Sequence, residues 1–332
     1  MNIRVVLLSI AVVVAGGVAW YLNSANEQGV RSKSQPLFKK FASEAGQLDS
    51  ILIENQNGEV FKAQRNKNQW LATHLDQEQS FPVNKQRMTT MINRVLKANV
   101  IEQKTSKAEY YPRLGVAGIT DDSHSSARLT LTSKEQSRQV IIGKMAQSRH
   151  GTFVRRPDDK ASLLINERVL MPESETDWLA QKVLPFDASE LLSIRFTQNN
   201  TTSLLLMRPE QNAKWEVVQV DNRRIEVEPQ GLAYPGVIEQ AVQDITDFRF
   251  LGVSAYFPEQ WQQQEPVGQV TFTLADQQQI TAYLVQTNEL NQYQVWFDDQ
   301  NTSPWLSGWV FEVSGYQGRA LMLTLDDLTK SG

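Results

Sequence analysis

The chain of 332 residues has no cysteine. That excludes disulfides, thiolate metal sites, a cysteine nucleophile and an acylated cysteine near the N-terminus. It leaves the redox compartment open, because exported bacterial proteins often avoid cysteine. Histidine is nearly as scarce. His74, His124 and His150 lie far apart, without the i,i+3 or i,i+4 partners of a helical metal site, and each reads as a loop or surface residue. No Walker A, Gly-x-Ser-x-Gly or His-Glu-x-x-His pattern is present. Ile142-Gly143-Lys144 lacks the preceding glycine and the following Ser or Thr of a phosphate loop. The net charge of -4 and the absence of a basic–aromatic cluster exclude nucleic acid as a partner.

Acid pairs do occur, at Asp121-Asp122, Asp158-Asp159, Asp298-Asp299 and Asp326-Asp327. Glycosidase chemistry needs two carboxyls held across a cleft, one with a raised pKa. Neighbouring acids in polar loops are expected to be solvated, and nothing local desolvates these. The inventory therefore predicts a non-enzyme with no catalytic residue, no cofactor and no metal.

What the chain does have begins at its start. Val5 to Leu22 is 18 residues without a charge. At about 1.5 Å per residue such a helix covers roughly 27 Å, close to the ~30 Å hydrocarbon core. A cleaved signal peptide has a shorter apolar region ending in a small-x-small site, and the only plausible site here, Gly17-Val18-Ala19, lies inside this run. The segment reads as an uncleaved anchor, with Trp20 and Tyr21 at its far interface. Arg4 precedes it and Arg31, Lys33, Lys39 and Lys40 follow. The positive-inside count leans against export of the body, but long C-terminal domains translocate largely regardless of charge, so the N-terminus is expected inside. Asn23 to Pro36 is polar and aperiodic, a tether.

The rest of the chain says one thing twice. SILIENQNGEVFKAQRNKNQW (Ser50 to Trp70) is echoed by SIRFTQNNTTSLLLMRPEQNAKW (Ser193 to Trp215). Ser50 and Ser193, Arg65 and Arg208, and Leu131 and Leu274 are each 143 apart, while Trp70 and Trp215 are 145 apart. In the first copy Asn57-Gly58 marks a hairpin and Gln69 to Thr73 completes a meander. Met88, Met91, Ile92, Val95 and Leu96 then form one helical face after Asn84. Strands return at 128–143, 151–156 and 162–166. In the second copy a helix from about Pro235 carries Val237, Ile238, Ala241, Val242 and Ile245 on one face. Strands follow at 269–285, 293–297 and 308–313, and a final helix runs from about Tyr316 to Leu328. The predicted fold is α+β: an anchor at 1–22, a tether and lead-in at 23–40, and tandem duplicated domains at 41–185 and 186–332. Each domain is a mainly antiparallel sheet with one principal helix.

LDSILIENQNGEVFKAQRNKNQW, PVNKQRMTTMINRVLKANVIEQKT, AEYYPRLGV (Ala108 to Val116), RLTLTSKEQSRQVIIGK, GTFVRR and DWLAQKVLPF, in this order, resemble a bacterial family of uncharacterised membrane-anchored proteins. Members of that family have a repeated α/β domain and are encoded beside gliding-type ABC-transporter components. The resemblance covers roughly Leu37 to Phe196 well and the second copy more loosely. It implies a single-pass inner-membrane protein with its bulk in the periplasm, accessory to an ABC-2-type permease, and it supplies no catalytic residues.

Three features are candidates for binding. Trp296, Trp305 and Trp309, with Tyr256, Phe257 and Trp261, make the C-terminal part dense in aromatics. Trp296 and Trp309 fall in strands and read as core, while Trp305 lies in the loop SPWLSG. Arg155-Arg156 ends a strand and either is solvated or meets an acidic partner. Residues 1–208 carry 27 basic and 20 acidic side chains, net +7, and 209–332 carry 6 and 17, net -11. Asp298 and Asp299, read as a loop, are the candidate acidic contact. Interaction is therefore expected through Trp305, Arg155, Arg156, Asp298 and Asp299, with the permease or a second periplasmic accessory protein. A cell-envelope glycan-binding module is the alternative, and coplanar exposed Trp rings in a groove would favour it.

Overall fold

The computed structural model describes residues 35–38, 47–120, 126–134, 136–147, 150–198, 201–221, 223–225, 227–228, 231–287, 292–299 and 302–329. The expected anchor and nearly all of the tether lie outside them. No helix among the described residues is long and apolar enough to cross a membrane.

The body is α+β, dominated by two antiparallel sheets. The first sheet contains β1 (Gln35–Pro36), β2 (Ser50–Asn55), β3 (Gly58–Asn66), β4 (Gln69–Ala72), β5 (Phe81–Pro82), β6 (Asn99–Gln103), β7 (Ala127–Ser133), β8 (Gln136–Met145), β9 (Thr152–Arg155) and β10 (Ser162–Ile165). Its order is β1-β6-β10-β9-β8-β7-β2-β3-β4-β5. The second contains β11 (Leu191–Gln198), β12 (Thr201–Met207), β13 (Glu216–Val220), β14 (Arg223–Arg224), β15 (Gly252–Ala255), β16 (Gly268–Leu274), β17 (Gln279–Gln286), β18 (Gln292–Asp298) and β19 (Trp309–Ser314). Its order is β14-β13-β12-β11-β16-β17-β18-β19-β15. From β6 to β5 and from β15 to β14, the strands follow one another in the same sequence of roles. In each sheet the strand after the principal helix pairs with the last long strand.

Those helices are α1 (Lys85–Lys97) and α2 (Val237–Thr246). The 3.6-residue spacing correctly marks their inner faces. Met88, Met91, Ile92, Val95 and Leu96 are buried on α1, and Val237, Ile238, Val242 and Ile245 on α2. Strand alternation does the same for the sheets, as in β16, where Val270, Phe272 and Leu274 are buried between half-buried neighbours. The Asn57-Gly58 signal also holds: Gly58 takes φ 109, a turn conformation open to glycine at little cost, between β2 and β3. The single final helix expected at Tyr316 to Leu328 is instead two, α3 (Gly315–Ala320) and α4 (Leu325–Leu328). Thr324 breaks the run by starting a new capping box, its hydroxyl and N–H both donating to the Asp327 carboxylate.

The chain divides into two compact units, residues 1–60 with 86–171 and residues 61–85 with 172–332. In the first, Tyr111, Val116, Ala117 and Ile141 form an apolar cluster, and Arg128 pairs its fork with Glu54 across the β2–β7 ladder at 2.9 and 2.7 Å. In the second, Phe81 of β5 is fully buried and meets Phe250, Trp305, Trp309 and Phe311 edge-on, with centroids 5.3–6.1 Å away. Two backbone straps recur within this unit. Val83 bridges Leu179, with Ala180 N–H donating to the Pro82 carbonyl at 2.9 Å; Leu232 bridges Thr329, with Ala233 N–H donating to the Leu328 carbonyl at 2.9 Å.

Candidate binding site

The second unit holds a cleft of about 770 Å³ beside the outer edge of β13. Its apolar lining comes from Trp215, Val217 and Ile238, which are buried, and from Ile225, Val227 and Leu232, which are half-buried. Exposed charges rim it: Lys214 and Arg224 against Glu216, Glu228 and Glu239. Volumes of this order are ordinary for ligand-sized sites.

Local sequence explains the opening. β14 is two residues long and pairs only with Gln219 and Val220 at the far end of β13. The connection from Ile225 to Gly236 contains two prolines and two glycines, and α2 starts behind Gly236 at φ 86. After Ile225 N–H reaches the Val218 carbonyl at 3.1 Å, no strand among the described residues pairs with Val217 or Glu216 on that side.

Trp215 is fixed from behind. The Arg208 guanidinium lies 4.8 Å from its ring centroid and donates to the carbonyls of Leu191, Ala188 and Ser189 at 2.7, 2.9 and 2.7 Å. Burial lowers the pKa of Arg208 from its ordinary value, and the three carbonyls and the ring compensate the buried charge.

The residues singled out in the sequence are placed differently. Arg155 is spent inside the first unit. Its Nε donates to the Val116 carbonyl at 2.9 Å, one terminal nitrogen reaches the Pro157 and Asp159 carbonyls, and the guanidinium stacks 4.7 Å from Tyr111. Arg156 donates to the Leu37 carbonyl at 2.7 Å and faces Asp159 at 3.6 Å. Both tie down loops. Trp305 sits in a 3-10 turn, Pro304–Gly308, half-buried edge-on to Phe81 at 5.3 Å.

Two expectations require correction. Asp298 ends strand β18 rather than lying in a loop, and Asp299 is 1% exposed instead of solvated. The Asp299 carboxylate accepts from the N–H groups of Thr302 and Ser303, each at 2.9 Å. A short side chain in a turn is thereby enclosed by the backbone it organises. Trp309 is core, at 1% exposed, but Trp296 is only half-buried. On β18 the inward set is Tyr293, Val295 and Phe297, so Trp296 points to the opposite face. There it stacks on Tyr256 at 4.4 Å and 9° and on Tyr283 at 5.4 Å and 24°.

The cleft residues were not among the sequence candidates. The available signal was the Pro- and Gly-rich connection before α2, set against the two residues that separate β5 from α1.

Searches of the curated proteins and of the solved structures found no match to the chain. A family model does match, over residues 70–269, which is more than half of the chain and takes in the cleft. The chain thus belongs to the family described as Domain of unknown function (DUF4340).

Proposed function

We propose that this protein is a non-enzymatic, membrane-anchored accessory subunit, a scaffold or coupling element, of an ABC-2-type, gliding-type transport complex. One helix over residues 5–22 holds it in a bacterial inner membrane, and its bulk lies in the periplasm. The carrying observation is the charge-free run from Val5 to Leu22 ahead of a body built on two extended sheets. The family resemblance supports the transporter setting. The fate of the conspicuous polar side chains supports binding over chemistry, since Arg155, Arg156, Arg208 and Asp299 are committed to backbone groups of their own chain.

The body is, in this reading, a tandem duplication with copies at 41–185 and 186–332. The matching strand orders support it, as do two pairs of residues in register. Arg65 lies opposite Trp70 across β3 and β4, and Arg208 and Trp215 continue the β12–β13 ladder one pair beyond Met207 and Glu216.

The glycan alternative needs an exposed aromatic platform. Trp296, its best-placed ring, is already stacked within the chain on Tyr256 and Tyr283, so no observation favours that reading.

The test is cross-linking of the full-length protein in its native membrane, pull-down and mass spectrometry. Recovery of the permease or a second periplasmic accessory is the expected result. Recovery of no transporter subunit, or fractionation of the unmodified protein as soluble, overturns the proposal.

A further inference from the structure

We propose that the free edge of β15 pairs with the β15 edge of a second copy of this chain, antiparallel about a two-fold axis at Ser254, so that the second sheet continues across a homodimer. The inference goes beyond the accessory role above and does not depend on it.

The edge is open on the side away from β19. β15 is the last strand of its sheet, and β15, β19 and the chain on either side of β15 all fall within the described residues. The ladder with β19 pairs Gly252 with Glu312, Val253 with Phe311, Ser254 with Val310 and Ala255 with Trp309. Tyr256 N–H continues it by donating to the Gly308 carbonyl at 2.8 Å. In an antiparallel strand, bonds to one neighbour come from every second residue. Gly252, Ser254 and Tyr256 therefore face β19, while the N–H and C=O groups of Val253 and Ala255 point outward. Among the described residues no strand or backbone group pairs with them.

The first sheet treats the same position differently. β6 has the corresponding role, following α1 and pairing with the last long strand, β10. Its outer edge is covered: β1 pairs with Asn99 and Val100, and Leu37 and Phe38 just after β1 are buried. Around β15 large apolar side chains instead stay exposed at both ends, Leu251 at 63% and Phe257 at 51%. A bare edge is usually guarded by a charged side chain or a proline. Gly-Val-Ser-Ala carries neither.

Self-complementarity selects the occupant. A two-fold axis at Ser254 sets Val253 of each copy opposite Ala255 of the other. Both residues turn their backbone groups outward, so each such pair exchanges its N–H···O bonds in both directions. Neighbouring registers fail. An axis at Val253 would oppose Ala255 to Leu251, whose N–H is already given to the Glu312 carbonyl at 2.8 Å. An axis at Ala255 would oppose Val253 to Phe257, whose carbonyl already accepts from Gln260 and Trp261, each at 3.0 Å. The axis at Ser254 also brings the exposed Leu251 end of each copy to the exposed Phe257 end of the other, which removes apolar surface from water on both. A contact of this isologous kind closes on itself and stops at a dimer.

The chain has no cysteine, so one introduced thiol reports on the contact. Ser254 is exposed, and in the proposed register it meets its own counterpart as a non-hydrogen-bonded pair, with Cα atoms about 4.5 Å apart and within disulfide reach. The full-length Ser254→Cys chain, in its native membrane or purified, is oxidised with copper phenanthroline and run on a non-reducing gel. A disulfide dimer is expected, in at least fivefold higher yield than for Gln136→Cys, an exposed site in the first unit, or for Val253→Cys, whose counterpart is Ala255. Adding Leu251→Lys or Ala255→Pro to Ser254→Cys should lower the yield at least fivefold. The proline removes an outward donor and no bond to β19. The lysine replaces an exposed side chain, so it keeps the test in force if the proline variant misfolds. A yield no higher than that of Gln136→Cys, equal yields at Ser254 and Val253, or a yield insensitive to Leu251→Lys overturns the two-fold edge. Failure to recover a transporter subunit, with the Ser254→Cys dimer intact, instead removes the transport reading alone.

Discussion

The ring of Phe81 stands edge-on to that of Trp309, with centroids 5.3 Å apart and planes at 78°. The two residues are 228 positions apart, yet both belong to the compact unit of residues 61–85 and 172–332. Residues 61–85 thus supply core to a unit formed otherwise by residues 172–332. Phe81 meets four rings in this unit, so Phe81→Ala removes a fully buried aromatic from a close-packed setting. The expected loss is about 3–5 kcal/mol, with an added contribution of about 0.5–1.5 kcal/mol from edge-to-face geometry. Urea unfolding followed by tryptophan fluorescence measures it, and a loss below 1 kcal/mol would deny Phe81 this role.

Long, periodic elements were legible in the sequence and short, pairing-dependent ones were not. The inner faces of α1 and α2 follow from spacing alone, because one buried stripe repeats every 3.6 residues. β5 and β14 have two residues each, too few to show any period. Their placement depends on which edge lies open in three dimensions. Asp299 failed for a related reason: sequence marks an acid pair, while burial depends on how the chain from Thr302 to Ser307 folds back over it. Trp296 failed on phase. The strand was found, but two sheet faces are both partly covered, and apolar alternation does not say which one is the main core.

Asp298 and Asp299 should separate sharply on substitution. Asp299→Ala strands two backbone donors in a buried turn and should cost about 2 kcal/mol or more. Asp299→Lys, burying a cation there, should cost about 3–5 kcal/mol. Asp298→Lys, half-buried at the strand end, should cost less than either. Thermal melts of the three variants give the ranking, and equal shifts for Asp298→Lys and Asp299→Lys would contradict the buried-turn assignment.

The stack around Trp296 predicts alkaline behaviour. Desolvation, and then the charge of Asp298, raise the phenol pKa values of Tyr256 and Tyr283 above the ordinary value near 10. Both groups hold their proton more tightly folded than unfolded. The stability they contribute is fully present below the unfolded pKa and is lost as pH rises from about 10 through the folded values. Tyrosinate absorbance should show Tyr256 and Tyr283 titrating late, together with Tyr316, which its hydrogen bond to Asp244 also raises. Asp298→Asn should move Tyr256 and Tyr283 downward by removing the second cause while leaving Tyr316 in place. No change with Asp298→Asn would separate the carboxylate from the stack.

The anchor prediction rests on charge and length. Val13 is the ninth of the 18 uncharged residues from Val5 to Leu22, so it lies close to mid-bilayer if the segment spans. An arginine at the centre of a spanning helix costs about 2.5–3.5 kcal/mol on the insertion scale. The apolar side chains of a single short span have little surplus to offset that. Val13→Arg should therefore release the body from the membrane fraction or block its export, whereas Ala15→Leu, which keeps the run apolar, should do neither. Carbonate extraction separates the outcomes, and N-terminal sequencing of the wild-type chain adds an independent check. A mature N-terminus after Ala19 would convert the anchor into a cleaved signal and leave the body untethered.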